Sequence, residues 1–585
     1  MSRVTVSVII LLILCVASCP AYNEPPPERL SAPELTFEIG TNKGEINYSW
    51  TVAEPAEGDV DGMNYTLLVL KGWHSADEVI VNGYPIANST DAYSGTFAGE
   101  AGEWYSAIVL AENESDKIYS GLKQTKAKRT EAGEYDLRFG VISDTHIGAE
   151  NNYPLHQRFE KALDWYNTED VKALVIVGDI TQEGTQAHWD IFKNSWENHK
   201  GGLQLVAVMG NHEAWSEMLY GEDRNAAADR FETATGQKTN AHYIFNGYHF
   251  IVLSAGDGAF IDQGAAGGAI ASGRTEVPGS WFSDGDMVPQ SVKDWARIQI
   301  DTAKADTPGM PIFVFLHWPL YNTSYLSNVR YYTTSFGSDP FTGFFRDDPE
   351  VVIFGGHAHA PNSDPRSVWQ GGFTSVSTSA FFNYVLEDGY LGDDANGVNN
   401  SFLPKIAGQA AGQGMIVSVE GYKVTIENYD FDFCEGPQPL GNIVRSPQTW
   451  EFDVSRPVDF PYTNAKRETQ KTVPVFDETE ITIKNITDTA VEVEFPQAKI
   501  PGPNYGNEVV HSYRFDFINR QTGDIEITAR QWSDFMLTPR LQKSTYTQLI
   551  GGLTPDTDYE LRIYAYGSFK ECSSQYLTCI FTTSN

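Results

Sequence analysis

The period of apolar residues changes twice along the 585-residue chain. Between 33 and 130 the apolar runs are short and alternating: Ile46 to Thr51, Tyr65 to Leu70 and Trp104 to Leu110. Asn82-Gly83 separates two such runs as a hairpin-type turn dipeptide. Period-two alternation buries one face of each strand, which predicts a small β-sandwich. Between 134 and 455 the runs become almost wholly apolar: Leu137 to Ile142, Ala173 to Val177, Leu203 to Met209, Phe250 to Leu253, Ile312 to Leu316 and Val351 to Phe354. Helix-like amphipathic stretches such as Leu155 to Tyr166 lie between them. Strands apolar on both faces, alternating with helices, predict a layered α/β domain. Met415 to Val419, Lys423 to Glu427 and Trp450 to Val454 close that domain as further strands. The Gly-rich insertion 256–285 has a length at which loops commonly serve as lids. Residues 456–475, polar with scattered Pro, read as a linker, and 476–585 are again all-β.

The N-terminus adds a compartment. Arg3 precedes an apolar run from Val4 to Val16, broken only by Thr5 and Ser7. That run is short for a bilayer and fits a signal-peptide core over 1–18. Val16-Ala17-Ser18-Cys19 resembles a bacterial lipobox, which implies a lipidated Cys19 and an exported, membrane-anchored lipoprotein. The alternative is ordinary cleavage near Ala21 and a soluble secreted protein. Residues 19–32, with Pro25-Pro26-Pro27, read as a stiff tether. Of the five Cys, Cys15 and Cys19 belong to this signal and Cys434 stands alone. Cys572 and Cys579 are spaced for a bridge within one hairpin, which spacing alone does not establish. Cores, not disulfides, must hold the fold.

Charge removes some partners. Lys+Arg is 41 against Asp+Glu 77, a net charge of -36, and all three segments are acidic. Phosphate-backbone binding needs a basic face, so no nucleic-acid polymer is expected as a partner. Membrane association is expected only through the lipid anchor.

Candidate chemistry lies at the ends of the apolar strands of the central segment. Asp144-Thr145-His146 follows the first and Gly178-Asp179 the second, with Gly184 five residues on. Gly210-Asn211-His212-Glu213, His317 and Gly356-His357-Ala358-His359 follow three more. In layered α/β proteins the loops at the carboxyl ends of strands build the site. Five of the 12 His fall at these positions. His74, His156, His188, His199, His242, His249 and His511 have no motif context and read as surface or core. Imidazole and carboxylate without thiolate suit Zn, Fe or Mn. The set is too large for one tetrahedral ion and suits two.

The five ordered motifs resemble those of the calcineurin-like metallophosphoesterase superfamily. The resemblance implies a four-layered α/β/β/α sandwich over 134–455 and two divalent or trivalent metal ions. It implies Asp144, His146, Asp179 and His359 around the first metal, with Asp179 bridging to a second held by Asn211, His317 and His357. His212 would bind the phosphoryl group and protonate the leaving oxygen while a bridging hydroxide attacks. Leu553, Pro555, Thr557, Tyr559, Ile563 and Ala565 resemble the fibronectin type III pattern, with Tyr559 closing a strand corner through its hydroxyl. Trp50 and the strand order give 33–130 a similarity to fibronectin type III or immunoglobulin-like domains.

Two positions depart from subgroups of the superfamily. Gln182 stands where protein phosphatases carry an Asp that orients the catalytic His, and where purple acid phosphatases carry a metal-binding Tyr. His146 is absent from the latter group. Glu213, Trp318 and Pro319 read as structural, whereas Trp215, Tyr321 and Arg330 to Tyr332 are either pocket-lining or ordinary packing. The expected activity is hydrolysis of small phosphate esters of the phosphatase type. A phosphodiesterase of nucleotide or phospholipid diesters is the alternative. A surface-binding protein with a relict enzyme domain is the reading from another class.

Overall fold

The computed structural model describes residues 32–585 except 53–62, 73, 75, 102–103, 114–116, 128–134, 150–154, 170, 217–223, 255–260, 263–273, 276–289, 328–342, 383, 387–411, 432–442, 503–507 and 538–541. The signal peptide, most of the tether, nearly all of the 256–285 insertion, Arg330 to Tyr332 and Cys434 lie outside the described residues. No described helix is long and apolar enough to cross a membrane. The chain forms two compact units, up to Glu134 and from Tyr135 onward.

The first unit has a three-stranded and a five-stranded antiparallel sheet. Leu35, Ile46, Trp50, Leu67, Val69 and Val109 fill its core. Asn82-Gly83 is not a hairpin turn. Asn82 ends the helix Ala76–Asn82, and the Gly83 N–H donates to Val79 O at 2.8 Å. Asn-Gly serves helix ends as readily as hairpins, because both need a compact residue where the chain reverses.

The central domain of the second unit has two six-stranded sheets. In the first, Gln204–Val208, Ala173–Val177 and Leu137–Ile142 run parallel. Gln413–Glu420, Lys423–Phe431 and Ile443–Asp453 then extend it antiparallel. In the second, Tyr248–Leu253, Ile312–Leu316, Val351–Gly355 and Thr374–Ser377 run parallel between two antiparallel edge strands, Ala241–Phe245 and Val368–Gln370.

The apolar runs divide between cores by alternation. Val175 and Val177 point between the sheets, while Leu174 and Ile176 meet the helices outside. Phe313 and Phe315 likewise face inward, with Ile312, Val314 and Leu316 outward. Phe159, Leu163, Trp189 and Phe192, from helices Leu155–Thr168 and Gln186–His199, cover the first sheet. Val292, Trp295 and Ile300, from helix Gln290–Asp306, cover the second. The result is the four-layered α/β/β/α sandwich that the sequence leads one to expect.

Residues 456–475 are not a free linker. Phe460, Tyr462 and Arg467 are buried. The Gln370 N–H donates to Tyr462 O and the Tyr462 N–H to Gln370 Oε1, and Arg467, on helix Asn464–Gln470, donates to the carbonyls of Pro365 and Val368. A polar stretch becomes an ordered strap because its Tyr and Arg find partners on the central domain. The last segment is a sandwich of three and four strands. There the Tyr559 hydroxyl accepts from the Thr554 N–H at 3.0 Å. Cys572 and Cys579 are both free thiols.

Phe139 sits at the centre of the inter-sheet core, with ring centroids 4.8 Å from Phe250 and 5.0 Å from Phe313. Truncation there leaves a void that rigid sheets cannot close. Phe139→Ala is expected to lose about 3–5 kcal/mol of stability. Val458→Ala, at an 84% exposed position, should stay within about 0.5 kcal/mol. Denaturant unfolding followed by tryptophan fluorescence measures both.

Candidate metal centre

The parallel strands of both sheets deliver their carboxyl ends to one edge. There the backbone turns sharply. Asp144, His146, Asp179, His357 and His359 all have positive φ, between 44° and 63°. This is a conformation rarely adopted by non-glycine residues. Such strain persists only where the surroundings over-determine it, and it clusters at functional sites. Backbone bonds lock the turns together. The Asp144 N–H donates to Gly178 O and the His146 N–H to Asp179 O, both at 3.0 Å, and the Gly356 N–H donates to His317 O at 2.9 Å. Gly178 has φ +81°, and an added Cβ would overlap the His317 ring.

Each carboxylate divides its oxygens between the backbone and the centre. Asp144 Oδ2 accepts from Ser143 Oγ and, at 3.1 Å, from the His357 N–H. Its Oδ1 lies 3.1 Å from His359 Nε2. Asp179 Oδ1 accepts from the His212 N–H at 2.9 Å. Its Oδ2 is the shared point, 3.2 Å from His317 Nε2, 3.8 Å from His212 Nε2 and 3.9 Å from His146 Nε2. Glu213 joins the second and third loops, its carboxylate accepting from the Thr181 and Gly210 N–H groups at 2.8 Å. Burial, then the charge of Asp179, pushes the Glu213 carboxyl up to about 8.

Hydrogen bonds also fix the imidazoles. His317 Nδ1 lies 2.7 Å from Val177 O, and His212 Nδ1 lies 2.7 Å from Gln182 O. A carbonyl only accepts, so Nδ1 carries a proton in both rings and Nε2 is the atom that would face a metal, once free of its own proton. His146 Nδ1 meets Gln182 Oε1 at 2.9 Å, which sets the same tautomer. Burial, and next the neighbouring His212, holds His146 well below the usual histidine range. Burial, and next His317, does the same to His357. These rings are held neutral, the form that ligates metal. Burial opposes charge on both Asp179 and His317, but their mutual attraction overrides it. Asp179 is drawn well below the usual carboxylate range and His317 is raised to about 9.

These donors fit metal ions. Asp144 with His146 and His359, and Asp179 with His317 and His357, form two compact groups, and His146, Asp179 and His212 form a third between them. Asp144 Oδ1, Asn211 Oδ1 and His317 Nε2 are buried and make no hydrogen bond among the described residues. His146 Nε2 and His359 Nε2 face each other at 3.4 Å. Together with Asp144 Oδ1 they lie close enough to share one ion.

The structure brings Asp144, His146, Asp179, His212, His317, His357 and His359 together, and Asn211 directly precedes His212 with its Oδ1 buried. It adds neighbours that the sequence does not reveal as such. Trp215 stacks on His212 with ring centroids 3.4 Å apart, Trp318 packs on His357 at 3.9 Å and Phe382 packs on His146 at 4.9 Å. Gln182 orients His212 through its backbone and His146 through its side chain. Its offset of three residues from Asp179 is the signal in the sequence that points to it.

Residues 137–361 match the family model described as calcineurin-like phosphoesterase. No curated protein matches the chain. Among solved structures, a purple acid phosphatase, PPD1, from yellow lupin seeds has 11% identity, covering 73% of this chain and 75% of its own, with a TM-score of 0.35. The structure of PhoD has 9% identity, covering 74% and 92%, with a TM-score of 0.34. The FN5 domain of Drosophila Lar has 14% identity, covering 20% and 97%, with a TM-score of 0.13.

Gln182→Leu removes the acceptor that holds His146 Nδ1 while keeping the backbone carbonyl that holds His212. Loss of such an orienting partner is expected to weaken metal binding about 10–100-fold. Calorimetric titration of the metal-free protein with Mn²⁺ checks this, with circular dichroism as the control for folding.

Proposed function

We propose, from the premise that residues 137–361 are a calcineurin-like phosphoesterase domain and the chain a phosphoester hydrolase, that it hydrolyses small phosphate esters at a two-metal site. Asp179 Oδ2 carries this reading. It is one carboxylate oxygen within 4 Å of imidazoles from three strand-end loops, as a bridging ligand requires. Asp144, His146, Asp179 and His359 would hold one ion, and Asp179, Asn211, His317 and His357 the other. When bound, such ions polarise the ester and generate hydroxide near neutral pH.

The chain's own residues supply the rest. His212 Nδ1–H donates to Gln182 O, which turns Nε2 toward Asp179 Oδ2. Protonated at Nε2, His212 binds the phosphoryl oxygen and passes its proton to the leaving oxygen. Trp215, stacked on the imidazole, keeps that aim. Glu213 holds the Asp179 and Asn211 loops at a fixed separation through its two backbone contacts. Export as a lipoprotein, with the substrate met outside the cytoplasm, is part of the same proposal and rests on the Val16 to Cys19 motif.

The test uses residues 20–585 loaded with Mn, Zn or Fe and assayed on nitrophenyl phosphate and bis-nitrophenyl phosphate. Turnover is expected to vanish with a chelator and return on reloading. The ratio of the two rates separates monoesterase from diesterase. His212→Ala should lower kcat about 10²–10⁴-fold with both metals retained. Full activity in Asp179→Ala, or no metal-dependent turnover of either ester, sinks the proposal.

A further inference from the structure

The loop that carries His357 and His359 continues through Arg366, and one side of it is closed by the C-terminal sandwich. The contact is polar and buried. His511, on strand Val510–Asn519, is fully buried. Its Nε2 lies 3.0 Å from an Arg366 amino group and 3.2 Å from the Tyr325 hydroxyl. A guanidinium only donates, so Nε2 is the acceptor and the ring is neutral. Phe535 stacks on the ring and Trp532 meets its edge, each with centroids 4.8 Å away.

On the central domain, Arg366 is paired with Asp364 through two bonds, at 2.8 and 2.7 Å. Its guanidinium lies 4.1 Å from the Tyr325 ring centre. Tyr325 is the hinge-pin of this arrangement. It packs in one cluster with Leu326, Val385 and the two residues flanking His359, Ala358 and Ala360. The Val385 N–H donates to His359 O at 3.0 Å. Beside this, Tyr384 and Leu386 pack on Phe535 and Met536 of the sandwich.

We propose that the C-terminal sandwich positions metal ligands: His511, acting through Tyr325 and the Arg366–Asp364 pair, holds the loop on which His357 and His359 stand. His357 and His359 sit at φ +63° and +50°, conformations that need continuous support from outside the loop. The sandwich supplies that support from a residue 152 positions beyond His359. His511 is a positioning residue and touches no reacting atom. The inference rests on the metal-site reading above and concerns metal affinity, not substrate.

The experiment titrates metal-free full-length protein with Mn²⁺ by calorimetry and records thermal unfolding of the same samples. His511→Ala and the gentler Tyr325→Phe, which removes only the hydroxyl, are compared with Val491→Ala. Val491 lies in the sandwich core, outside the cluster shared with the central domain. Weakening of Mn²⁺ binding by about 10-fold, the low end of what losing a ligand's direct partner costs, is expected in His511→Ala. A smaller loss is expected in Tyr325→Phe, and partial recovery in His511→Gln, whose Oε1 can accept in place of Nε2. Val491→Ala should lower the unfolding temperature with wild-type affinity. Wild-type affinity in both His511→Ala and Tyr325→Phe overturns the inference, as does an equal loss in Val491→Ala. Should His511→Ala fail to fold, Tyr325→Phe with His511→Gln decides by the same criteria. Wild-type protein that binds no metal overturns the metal-site reading itself. Wild-type protein that binds metal but turns over no ester overturns only the catalytic reading.

Discussion

Two buried carboxylates set the terms for the rest of this structure. Asp144 and Asp179 are essentially inaccessible to solvent. A buried carboxylate is costly unless hydrogen bonds and opposite charge compensate it. Here each gives one oxygen to the backbone of a neighbouring loop and leaves the other for a shared centre. The backbone-facing oxygens tie the loops after four different strands to one another. The centre-facing oxygens make those loops useful only if positive charge is brought to them. Structure and chemistry thus draw on the same two side chains.

That arrangement demands a rigid frame. Five residues in the left-handed region, at about 1–3 kcal/mol each, represent a strain that a soft scaffold would relax. The frame is the pair of sheets, whose interlocked Phe139, Phe250, Phe313, Phe315 and Phe354 fix the strand ends relative to one another. Elements outside the sheets continue the same work. Glu213 braces two loops from within. Arg467 of the strap and His511 of the sandwich both reach the stretch just past His359. Support for the ligand loops is therefore spread over most of the second unit.

The layered fold was legible because burial on both faces leaves an unbroken apolar run, and each motif followed such a run directly. The candidate ligands were legible as a cluster because strand ends in this architecture share an edge, so residues 213 apart in sequence, such as Asp144 and His357, meet without any local signal. Other features escaped for equally physical reasons. Asn82-Gly83 fits two different chain reversals. Residues 456–475 look like a linker because the partners of Tyr462 and Arg467 lie about a hundred positions earlier. His511 looks like an ordinary core histidine because nothing near it in sequence hints at Tyr325 or Arg366. Gln182 was visible as a departure from an expected Asp, yet its role depends on a backbone carbonyl, which every residue has.

The acidity of the chain takes on a different meaning beside this site. A net charge of -36 opposes the approach of anions. Charges on the surface, however, act through solvent and are screened over roughly 8–10 Å at physiological ionic strength. Charges inside a closed edge of two sheets are screened much less. Two divalent ions against Asp144 and Asp179, as proposed, would leave the site positive, whatever the exterior carries. A small ester that enters the pocket meets the interior field. A polymer laying many phosphates along the exterior meets the acidic surface as well, and each added contact works against it. On the proposed two-metal reading, this charge distribution would favour compact phosphate esters over long polyanions, by geometry and screening.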